Sequence, residues 1–356
     1  MNDPIKVDYV IVGQGLAGSA VAIQLLKIGK KIVIIDQPEK NRASSVAAGL
    51  FNPITGKKMV KTWMADVLFP YLHDFYRAAE VLTNESFFYP MPLYRPFISI
   101  EEQNEWMAKS GDIAYASYID RVLTKPSFAD VKDVFGGLLL KQCGYLDTVK
   151  FMNAVRQHIQ KNNYLLQEEF DFQELSVDKG TIVYKKFEAD RVIFCNGTDH
   201  NPIFKWLPIK PLKGETLTLQ ADTSSSTIIN RGVYILPLAQ NQWRVGATYN
   251  FHDNDLNITE SSRRELVEKV NAISTFPYTI INQQLGFRPT TPDRRPILGE
   301  HPEMKSFYIF NGLGTKGVSL APYFSKVLIH LTENRVPVNK EVDIERYKSV
   351  YSGSSL

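Results

Sequence analysis

The sequence predicts a mixed α/β and α+β fold, in which a Rossmann-like dinucleotide-binding domain is joined to a discontinuous antiparallel-β domain. A strand, a glycine-rich turn, a helix and a second strand open the chain, and similar α/β patterns return in its middle and at its end. Aromatic, β-rich segments lie between these patterns. We therefore assign residues 1–62, 141–215 and 286–350 to the first domain, and residues 63–140 and 216–285 to the second.

The N-terminal segment has the layout of a dinucleotide-binding unit. An apolar run leads into the loop 13–18 (GQGLAG), a helical pattern follows, and a second apolar run ends on Asp36. Gly13 permits the tight turn, Gly15 lets backbone N–H groups approach a diphosphate, and Gly18 lets the helix pack against the strand. The helix N-terminus adds about half a positive charge, and the Asp36 carboxylate suits ribose hydroxyls. This pattern leaves NAD and FAD equally open.

The composition is that of an ordinary globular enzyme. The 356 residues are 44% hydrophobic and 22% charged, and the net charge of +3 is too small to indicate a nucleic-acid or membrane partner. Cys143 and Cys195 have no CxxC spacing and the histidines are scattered, so we expect neither a disulfide framework nor a metal site. The start of the chain lacks the basic region of a signal peptide, and the glycine-interrupted apolar stretch 7–35 differs from a membrane span. We expect a cytoplasmic protein.

The remaining elements follow from periodicity and turn residues. A run of small residues at 43–50 indicates close packing against the backbone, and the aromatic stretch 85–140 is typical of short strands. Asp147 is positioned as a helix N-cap. Helices are predicted at 62–80, 148–161, 259–273 and 318–331, and strands at 188–197, 212–219, 234–237, 243–248 and 307–310.

A second glycine loop, 312–317 (GLGTKG), lies between a predicted strand and the last helix. It is formally another GxGxxG, but the residues after its helix are polar and form no strand that ends in an acid, so no NAD(P) is expected. Its N–H groups and Lys316 would instead stabilise negative charge on the pyrimidine end of a flavin. A simple tight turn is the alternative. Together with the small-residue run, this loop favours one FAD held near its two ends by the two glycine loops.

These stretches, taken in order, resemble the D-amino-acid oxidase and glycine oxidase group of FAD-dependent oxidoreductases. The resemblance covers most of the chain. The matching stretches are 12–18, Asp36, 43–50, 144–147, 189–197, 212–219, 232–237, 245–248, 286–299 and 311–322. The resemblance implies an FAD-binding domain with an antiparallel-β substrate domain. It also implies non-covalent FAD, because Gly286 and Phe287 stand where some relatives attach the flavin through a cysteine.

The resemblance further implies which residues hold FAD. The first glycine loop would meet the diphosphate, Asp36 the adenosine ribose, and the last glycine loop the pyrimidine edge. The small-residue run would lie along the ribityl chain and the isoalloxazine, and residues 196–197 near the adenosine. The implied cofactor residues are Gly13, Gly15, Leu16, Ala17, Gly18, Asp36, Gln37, Ser44, Ser45, Ala48, Gly49, Leu50, Asn196, Gly197, Gly312, Leu313, Gly314, Thr315, Lys316 and Gly317.

For the substrate, the resemblance points to Arg288 and Tyr234. The Arg288 guanidinium would pair with an α-carboxylate and the Tyr234 phenol would add a hydrogen bond. A surface or inter-domain ion pair is the alternative for Arg288, and ordinary sheet packing is the alternative for Tyr234. Glycine and D-amino-acid oxidases carry a second arginine where Thr315 stands here, beside Lys316. This loop is closer to that of the oxidase half of the bifunctional tRNA wobble-uridine-modifying enzyme, so Lys316 is a third candidate catalytic residue.

The implied activity is oxidation of a C–N bond of an amino acid or secondary amine. Hydride would pass to flavin N5, water would hydrolyse the imine, and oxygen or another acceptor would reoxidise the flavin. Two other functions stay open. One is a flavoenzyme acting on a modified nucleoside in tRNA, indicated by Lys316 and the basic stretch 57–61, and the other is a flavin-binding protein without amine oxidase activity. A dehydrogenase at the membrane is disfavoured because no amphipathic basic anchor is visible.

Overall fold

The structure is a computed structural model that describes residues 3–37, 42–56, 58–223 and 225–351. These residues contain eight α-helices and 21 strands, with 3₁₀ segments at Phe172–Glu174, Gly314–Lys316 and Ile344–Val350. The helices are α1 (Leu16–Lys27), α2 (Ala43–Val46), α3 (Ala65–Thr83), α4 (Ile100–Lys109), α5 (Ile113–Ala116), α6 (Thr148–Asn162), α7 (Glu260–Ile273) and α8 (Gly317–Asn334). The strands are β1 (Ile5–Val12), β2 (Ile32–Ile35), β3 (Leu50–Phe51), β4 (Ile54–Thr55), β5 (Val60–Lys61), β6 (Phe88–Pro90), β7 (Leu93–Pro96), β8 (Ile119–Leu123), β9 (Gly137–Leu140), β10 (Gly144–Leu146), β11 (Tyr164–Leu166), β12 (Leu175–Asp178), β13 (Thr181–Tyr184), β14 (Phe187–Phe194), β15 (Lys210–Gln220), β16 (Ile228–Asn230), β17 (Tyr234–Pro237), β18 (Gln242–Gly246), β19 (Thr279–Thr290), β20 (Ile297–Glu300) and β21 (Phe307–Asn311).

A largely parallel sheet contains the first strand. Strands β11, β2, β1 and β14 are consecutive parallel neighbours, and β21 pairs in parallel with the carboxyl-terminal half of β14. Strand β2 is buried throughout and β1 over most of its length, as expected of strands covered on both faces. The hairpin β12–β13 and the strand β20 add antiparallel edges. The carboxyl ends of β2, β1, β14 and β21 therefore meet at one edge of the sheet.

The two faces of this sheet are covered differently. Ile11 and Ile34 point into a core formed with the buried sides of α1, α3, α6 and α8. Val10 and Val33 point to the other side, into a second core that includes Phe204. The alternation follows from the two-residue period of a strand. The parallel sheet is thus a layer between two apolar cores, which holds its carboxyl edge in place.

A second sheet has the strand order β19-β15-β18-β17-β16-β7-β9-β8. Its neighbours are antiparallel, except for β16 and β7, which run parallel. Leu217, Ile235 and Val245 point to one side, where they pack with Leu266 of α7. Their sequence neighbours must point to the opposite side, and Leu236 accordingly joins the core of the parallel sheet. We call this opposite side the inner face.

The predicted α/β and α+β fold is confirmed, with one correction within 85–140. This stretch contains β6 to β9, but it also contains the helices α4 and α5, which the expectation of short strands misses. Ser99 is the N-cap of α4, and its hydroxyl accepts a hydrogen bond from the Glu102 N–H at 3.3 Å. The capping sequence is present, but only Gln103 and Trp106 of this helix are buried, so the apolar periodicity is weak.

The predicted domain division stays a prediction. Strands β15 and β19 each continue across the predicted boundaries, at 215/216 and at 285/286. Helix α3, which the division assigns to the substrate domain, packs against α8, and the Tyr76 hydroxyl donates to the Val318 carbonyl at 2.9 Å. The predicted boundaries therefore fall within continuous strands of the antiparallel sheet, and the two sheets share one apolar core.

Candidate active site

Four predicted segments meet at the carboxyl edge of the parallel sheet. The loop 13–18 follows β1, residues 36–37 follow β2, residues 196–197 follow β14, and the loop 312–317 follows β21. Hydrogen bonds join neighbouring segments: the Gln14 N–H donates to Asp36 Oδ1 at 2.8 Å, and Asn311 Nδ2 donates to the Gly197 carbonyl at 2.8 Å. In open α/β sheets, this edge is where ligands bind.

The first glycine loop has the conformation its sequence predicts. Gly13 has a φ of +93°, and a Cβ there would lie 2.7 Å from the Cys195 carbonyl oxygen. A Cβ at Gly18 would lie 1.9 Å from the Gly13 carbonyl oxygen, so this glycine allows the close approach of α1 to the strand. Gly15 is the N-cap of α1 and offers no capping side chain. The N–H groups of this helix start are thus available to an anion, apart from that of Leu16.

The Leu16 N–H is bound by a side chain of the small-residue run. It donates to Ser44 Oγ at 3.1 Å, which brings the predicted residues Ser44 and Ser45 of α2 to the start of α1. Further along, Gly49 has a φ of +72°, and a Cβ there would lie 1.8 Å from the Leu146 carbonyl oxygen. The close contact with β10 is therefore sufficient by itself to require a glycine at position 49. Its neighbours Ala48 and Leu50 are half-buried.

Asp36 has two partners that sequence reasoning misses. The carboxylate is 4% exposed, and it accepts hydrogen bonds from Arg42 at 2.5 Å and from Arg156 at 3.0 Å. Arg156 also donates to Gln14 Oε1 at 2.8 Å. With the Gln14 N–H, three of the roughly four acceptor positions of the carboxylate are used, which leaves capacity for a ribose hydroxyl. Arg156 comes from α6, far along the chain, so no local signal indicates it.

The last glycine loop touches the first. Gly312 and Gly314 have φ values of +72° and +54°, and the loop ends in the 3₁₀ turn Gly314–Lys316. A Cβ at Gly317 would lie 3.1 Å from Leu16 Cδ1. Burial lowers the pKa of the half-buried Lys316 ammonium, and the nearby Arg295 and Arg294 lower it further. Leu313 is buried and Thr315 is exposed. The two loops, distant in sequence, are therefore parts of one surface.

Tyr234 and Arg288 lie on the inner face of the antiparallel sheet. Tyr234 of β17 is opposite Gly246, which is opposite Thr216 of β15. A Cβ at Gly246 would lie 2.4 Å from the Tyr234 hydroxyl oxygen, so the hydroxyl end of the phenol lies over this glycine. Burial raises the pKa of the Tyr234 phenol to about 12, although Arg288 and Arg244 lower it in part. The hydroxyl therefore stays protonated at neutral pH and can donate a hydrogen bond.

Arg288 occupies a second gap in the same face. A Cβ at Gly214 would lie 2.2 Å from its Nη1, because the guanidinium crosses over that glycine. Nη1 donates to the Thr248 carbonyl at 3.2 Å, and the Tyr249 ring lies 5.1 Å from the guanidinium carbon. Among the described residues, no carboxylate forms an ion pair with Arg288. The ion-pair alternative thus finds no partner in that part of the chain.

Two polar groups on the inner face have no counterpart in the sequence analysis. Arg244 lies two residues before Gly246 on β18, and its Nη1 donates to the Val46 carbonyl at 3.4 Å. The Arg244 Nε and the Thr216 Oγ1 are buried, and neither has a hydrogen-bond partner among the described residues. The alternation of β18, with Trp243 and Val245 in the core behind, is the signal that could have placed Arg244 here.

The inner face lies against the segment that follows the first βαβ unit. Residue 42 forms a parallel bridge with Phe287 of β19, and Val46 meets Arg244. The candidate substrate residues and the two glycine loops are therefore brought to one region from opposite sheets. Within the described ranges, no group of three or more His, Cys, Asp or Glu side chains could hold a metal ion. No helix in the same ranges is long and apolar enough to cross a membrane.

Residues 8–331 match the family model of the FAD dependent oxidoreductases, DAO. The chain belongs to the DAO family. It is therefore an FAD-dependent oxidoreductase, as the resemblance implies, and FAD is its cofactor.

Curated relatives of this DAO-family chain are distant in sequence. The uncharacterized oxidoreductase YurR of Bacillus subtilis is 24% identical over 95% of this chain and 97% of its own length. A bifunctional protein of Saccharophagus degradans, MnmC, named for 5-methylaminomethyl-2-thiouridine biosynthesis in tRNA, is also 24% identical. That match covers 90% of this chain but only 52% of the relative, so the chain spans about half of the bifunctional protein.

Solved structures share the fold of this family member. Glycine oxidase from Bacillus cereus superposes with a TM-score of 0.72 at 19% identity, covering 98% of this chain and 99% of that one. Iminodiacetate oxidase from a Chelativorans species superposes with a TM-score of 0.74 at 21% identity, covering 95% and 98%. The agreement extends over both sheets, since nearly the whole chain is included.

The residues at the carboxyl edge fit FAD. The start of α1 presents backbone N–H groups to a diphosphate, and Asp36 keeps acceptor capacity for a ribose. The buried Asn196 Oδ1 has no hydrogen-bond partner among the described residues, as expected of a group that faces a polar ligand. These residues and the last glycine loop would hold the cofactor. Bound FAD supplies a two-electron acceptor for a hydride.

Proposed function

We propose that this DAO-family enzyme oxidises the C–N bond of a small amine that carries a carboxylate, either an amino acid or an N-substituted amino acid. One observation carries the proposal. The Arg288 guanidinium and the Tyr234 hydroxyl share the inner face opposite the glycine loops, and neither is bound to a carboxylate among the described residues. A cation and a neutral donor on such a surface form a carboxylate-binding pair.

Arg288 would orient the substrate through its carboxylate. A guanidinium can bind both carboxylate oxygens in parallel, which fixes direction as well as position. The Thr248 carbonyl and the Tyr249 ring hold the guanidinium in place before the substrate arrives. The Tyr234 hydroxyl would donate a further hydrogen bond, since its pKa of about 12 keeps it protonated. Most of the rate enhancement would come from such positioning.

No protein base is needed when the amine binds in its neutral form. The substrate Cα–H bond breaks while the nitrogen lone pair forms a C=N bond, and water then hydrolyses the imine to a carbonyl compound and an amine. The apolar and aromatic surroundings of Tyr234 would exclude bulk water during the first step. Lys316, on the last glycine loop, would provide positive charge near the pyrimidine end of the cofactor.

We propose that FAD is bound without a covalent link. Both cysteines are buried, and burial raises the thiol pKa of each. Cys195 lies beneath the first glycine loop, where a Cβ at Gly18 would be 3.5 Å from its Cβ, and Cys143 contacts Asn52. Acid precipitation should therefore release all of the flavin into the supernatant. Two free cysteines also suit a reducing compartment, and we propose the cytoplasm.

The proposal is tested by anaerobic reduction of the purified flavoprotein. Amino acids and N-alkyl amino acids are mixed with the enzyme, and loss of the visible flavin band reports oxidation of the amine. Arg288→Ala should lower kcat/KM for the active compounds by about 100-fold or more, since two charge-assisted hydrogen bonds are lost, while FAD stays bound. Arg264→Ala on α7 is the control. Bleaching by no amine, or unchanged turnover in Arg288→Ala, contradicts the proposal.

A second candidate function is supported by the relatives named for tRNA modification. They are named for the biosynthesis of 5-methylaminomethyl-2-thiouridine in tRNA, a nucleoside whose side chain carries an amine, and the last glycine loop of this chain resembles that of their oxidase half. The basic stretch 57–61 would then contact phosphates, although Lys57 lies outside the described residues. Tight, strongly salt-dependent tRNA binding would favour this function. Binding no better than that of a neutral polymer would exclude it.

The electron acceptor is tested in the flavin reduction assays, by comparing the rates at which oxygen and redox dyes reoxidise the reduced flavin.

A further inference from the structure

Arg244 lies on the inner face, on the far side of Tyr234 from Arg288. The register places Arg244 opposite Leu236 and Thr218, and Arg288 opposite Leu212. Tyr234 is opposite Gly246, which is in turn opposite Thr216. Along β15 the order is therefore Arg288, Tyr234, Arg244. Arg288 leans back over Gly214 toward the tyrosine. Both guanidinium groups are close enough to Tyr234 to act on its phenol electrostatically.

The Arg244 guanidinium is poorly satisfied by the protein. Its one hydrogen bond is to the Val46 carbonyl, at the long distance of 3.4 Å, and its buried Nε has no acceptor in the described part of the chain. No carboxylate of the described residues forms an ion pair with it. The buried Thr216 Oγ1, on the neighbouring strand of the same face, also has no partner there. A guanidinium that is partly withdrawn from water without a counter-ion is costly.

Arginines elsewhere in this protein show the contrast. Arg156 is bound to Asp36, Arg191 to Glu333, and Arg231 to Glu102. The two arginines that flank Tyr234 lack such partners, although they lie on one surface. Arg288 is accounted for by the substrate carboxylate of the proposed function. Arg244 requires a second anion.

We propose that Arg244 forms a second anion-binding subsite and that the substrate is a secondary amine with acidic groups on both sides of its nitrogen. One acid would bind Arg288, the other would bind Arg244, and the amine between them would lie beside Tyr234. This inference rests on the proposed function for the role of Arg288. It adds the substrate class, an N-(carboxyalkyl) amino acid, and makes Arg244 the residue that selects it.

Matched substrates test the inference. Glycines that carry an N-linked carboxyalkyl chain with one, two or three methylenes are compared with the corresponding carboxamides, which have the same shape without the charge. For at least one length, kcat/KM for flavin reduction should favour the acid over the amide by about 10- to 100-fold, the range of a charge-assisted hydrogen bond. An acid-to-amide ratio near one at every length would overturn the inference.

Substitutions at Arg244 test whether this residue produces the acid-to-amide ratio of kcat/KM. In Arg244→Met the acid-to-amide ratio should fall to about one, and Arg244→Lys should keep part of it, because a point charge remains without the planar fork. Arg121→Met removes the same charge from the far edge of the same sheet and should keep the full ratio. If Arg244→Met lowers the acid and the amide equally, Arg244 supports the cofactor or the fold, and the subsite does not exist.

A binding assay separates this inference from the proposed function. Succinate and glutarate are titrated against butyrate and valerate, and binding is read from the perturbed flavin spectrum without any turnover. The dicarboxylates should bind about 10-fold tighter to the wild type, and this difference should be lost in Arg244→Met and retained in Arg121→Met. If no amine bleaches the flavin, the proposed function fails while this assay still decides on Arg244. If amines bleach it but neither assay shows the second-acid preference, the inference alone fails.

Discussion

The guanidinium of Arg288 lies across the backbone of Gly214, where a side-chain Cβ would come within 2.2 Å of its Nη1. The two residues are on the antiparallel neighbours β15 and β19, two register positions apart. The missing side chain at 214 leaves the gap in which the arginine rests, and the Thr248 carbonyl keeps it there. The glycine thus sets the position of the candidate carboxylate-binding residue.

Gly214→Ala should displace Arg288 and weaken the binding of carboxylate substrates. The clash is with the end of a flexible side chain, so the fold should tolerate the change better than the site does. We expect kcat/KM to fall by about 10-fold or more, mainly through KM, with FAD content unchanged. Gly111→Ala is the control, since a Cβ there would meet its nearest atom at 3.7 Å. An unchanged KM in Gly214→Ala would show that Arg288 is positioned by other contacts.

Tyr234→Phe should lower kcat/KM by about 2- to 15-fold, the value of one hydrogen bond. The phenol pKa of Tyr234 is about 12 in the folded protein, whereas tyrosine in an unfolded chain has a pKa near 10. The wild-type hydroxyl is therefore a donor at every pH from about 7 to about 10. The ratio of wild type to variant should therefore be constant over that range. Tyr164→Phe, at an exposed position, is the control. A ratio that changes with a midpoint below pH 10 would mean that Tyr234 ionises during turnover.

The same pKa shift predicts how stability depends on pH. Between about pH 10 and the folded value of about 12, the unfolded tyrosine loses its proton while the folded one keeps it, so unfolding becomes easier as pH rises. Urea unfolding of wild type and Tyr234→Phe at a series of pH values measures this. The free energy of unfolding of the wild type should fall relative to that of Tyr234→Phe only above about pH 10. A shift at lower pH would contradict it.

Lys316→Met should make the bound flavin harder to reduce. A cation beside the last glycine loop would stabilise the negative charge that reduction adds, and we expect its loss to lower the two-electron potential by about 30 mV. Burial and two nearby arginines lower the Lys316 pKa. The difference in potential between wild type and Lys316→Met should therefore disappear, as pH rises, at a pH below the usual lysine pKa of about 10.4. Potentials are measured against reference dyes, with Lys326→Met as control. Equal potentials at neutral pH would remove Lys316 from the cofactor site.

Asp36→Asn should weaken FAD binding and also destabilise the apoprotein. The substitution removes the Asp36 charge from Arg42 and Arg156, while Arg42 keeps its ion pair with Asp199 at 3.2 Å. Because both arginines are partly exposed, the cost should be about 2 kcal/mol, less than that of breaking a fully buried pair. Urea unfolding of the apoprotein and dilution-induced release of FAD measure the two effects, and Asp178→Asn at an exposed position is the control. Loss of FAD with unchanged apoprotein stability would show that the arginines do not depend on Asp36.

The predictable part of the site is the part that depends on local sequence. The turn at Gly13, the packing glycine at 18 and the acid at 36 belong to one continuous βαβ unit, so their spacing alone specifies their geometry. The fold class and the cofactor follow from this unit together with the family resemblance. Helix α4 is not predicted from the sequence, because its buried side consists of Gln103 and Trp106 and shows little apolar periodicity.

The sequence by itself determined the dinucleotide unit and the second glycine loop, and its family resemblance pointed to Arg288 and Tyr234 as candidate substrate residues. Only the tertiary structure decided that Arg156 binds Asp36, that Gly214 makes room for Arg288, and that Arg244 faces the same surface as Tyr234. The reason is physical: strand register and helix docking bring together residues that are far apart in the chain. Which side chains meet across β15, β18 and β19 depends on the pairing of whole strands, and no local pattern encodes that pairing.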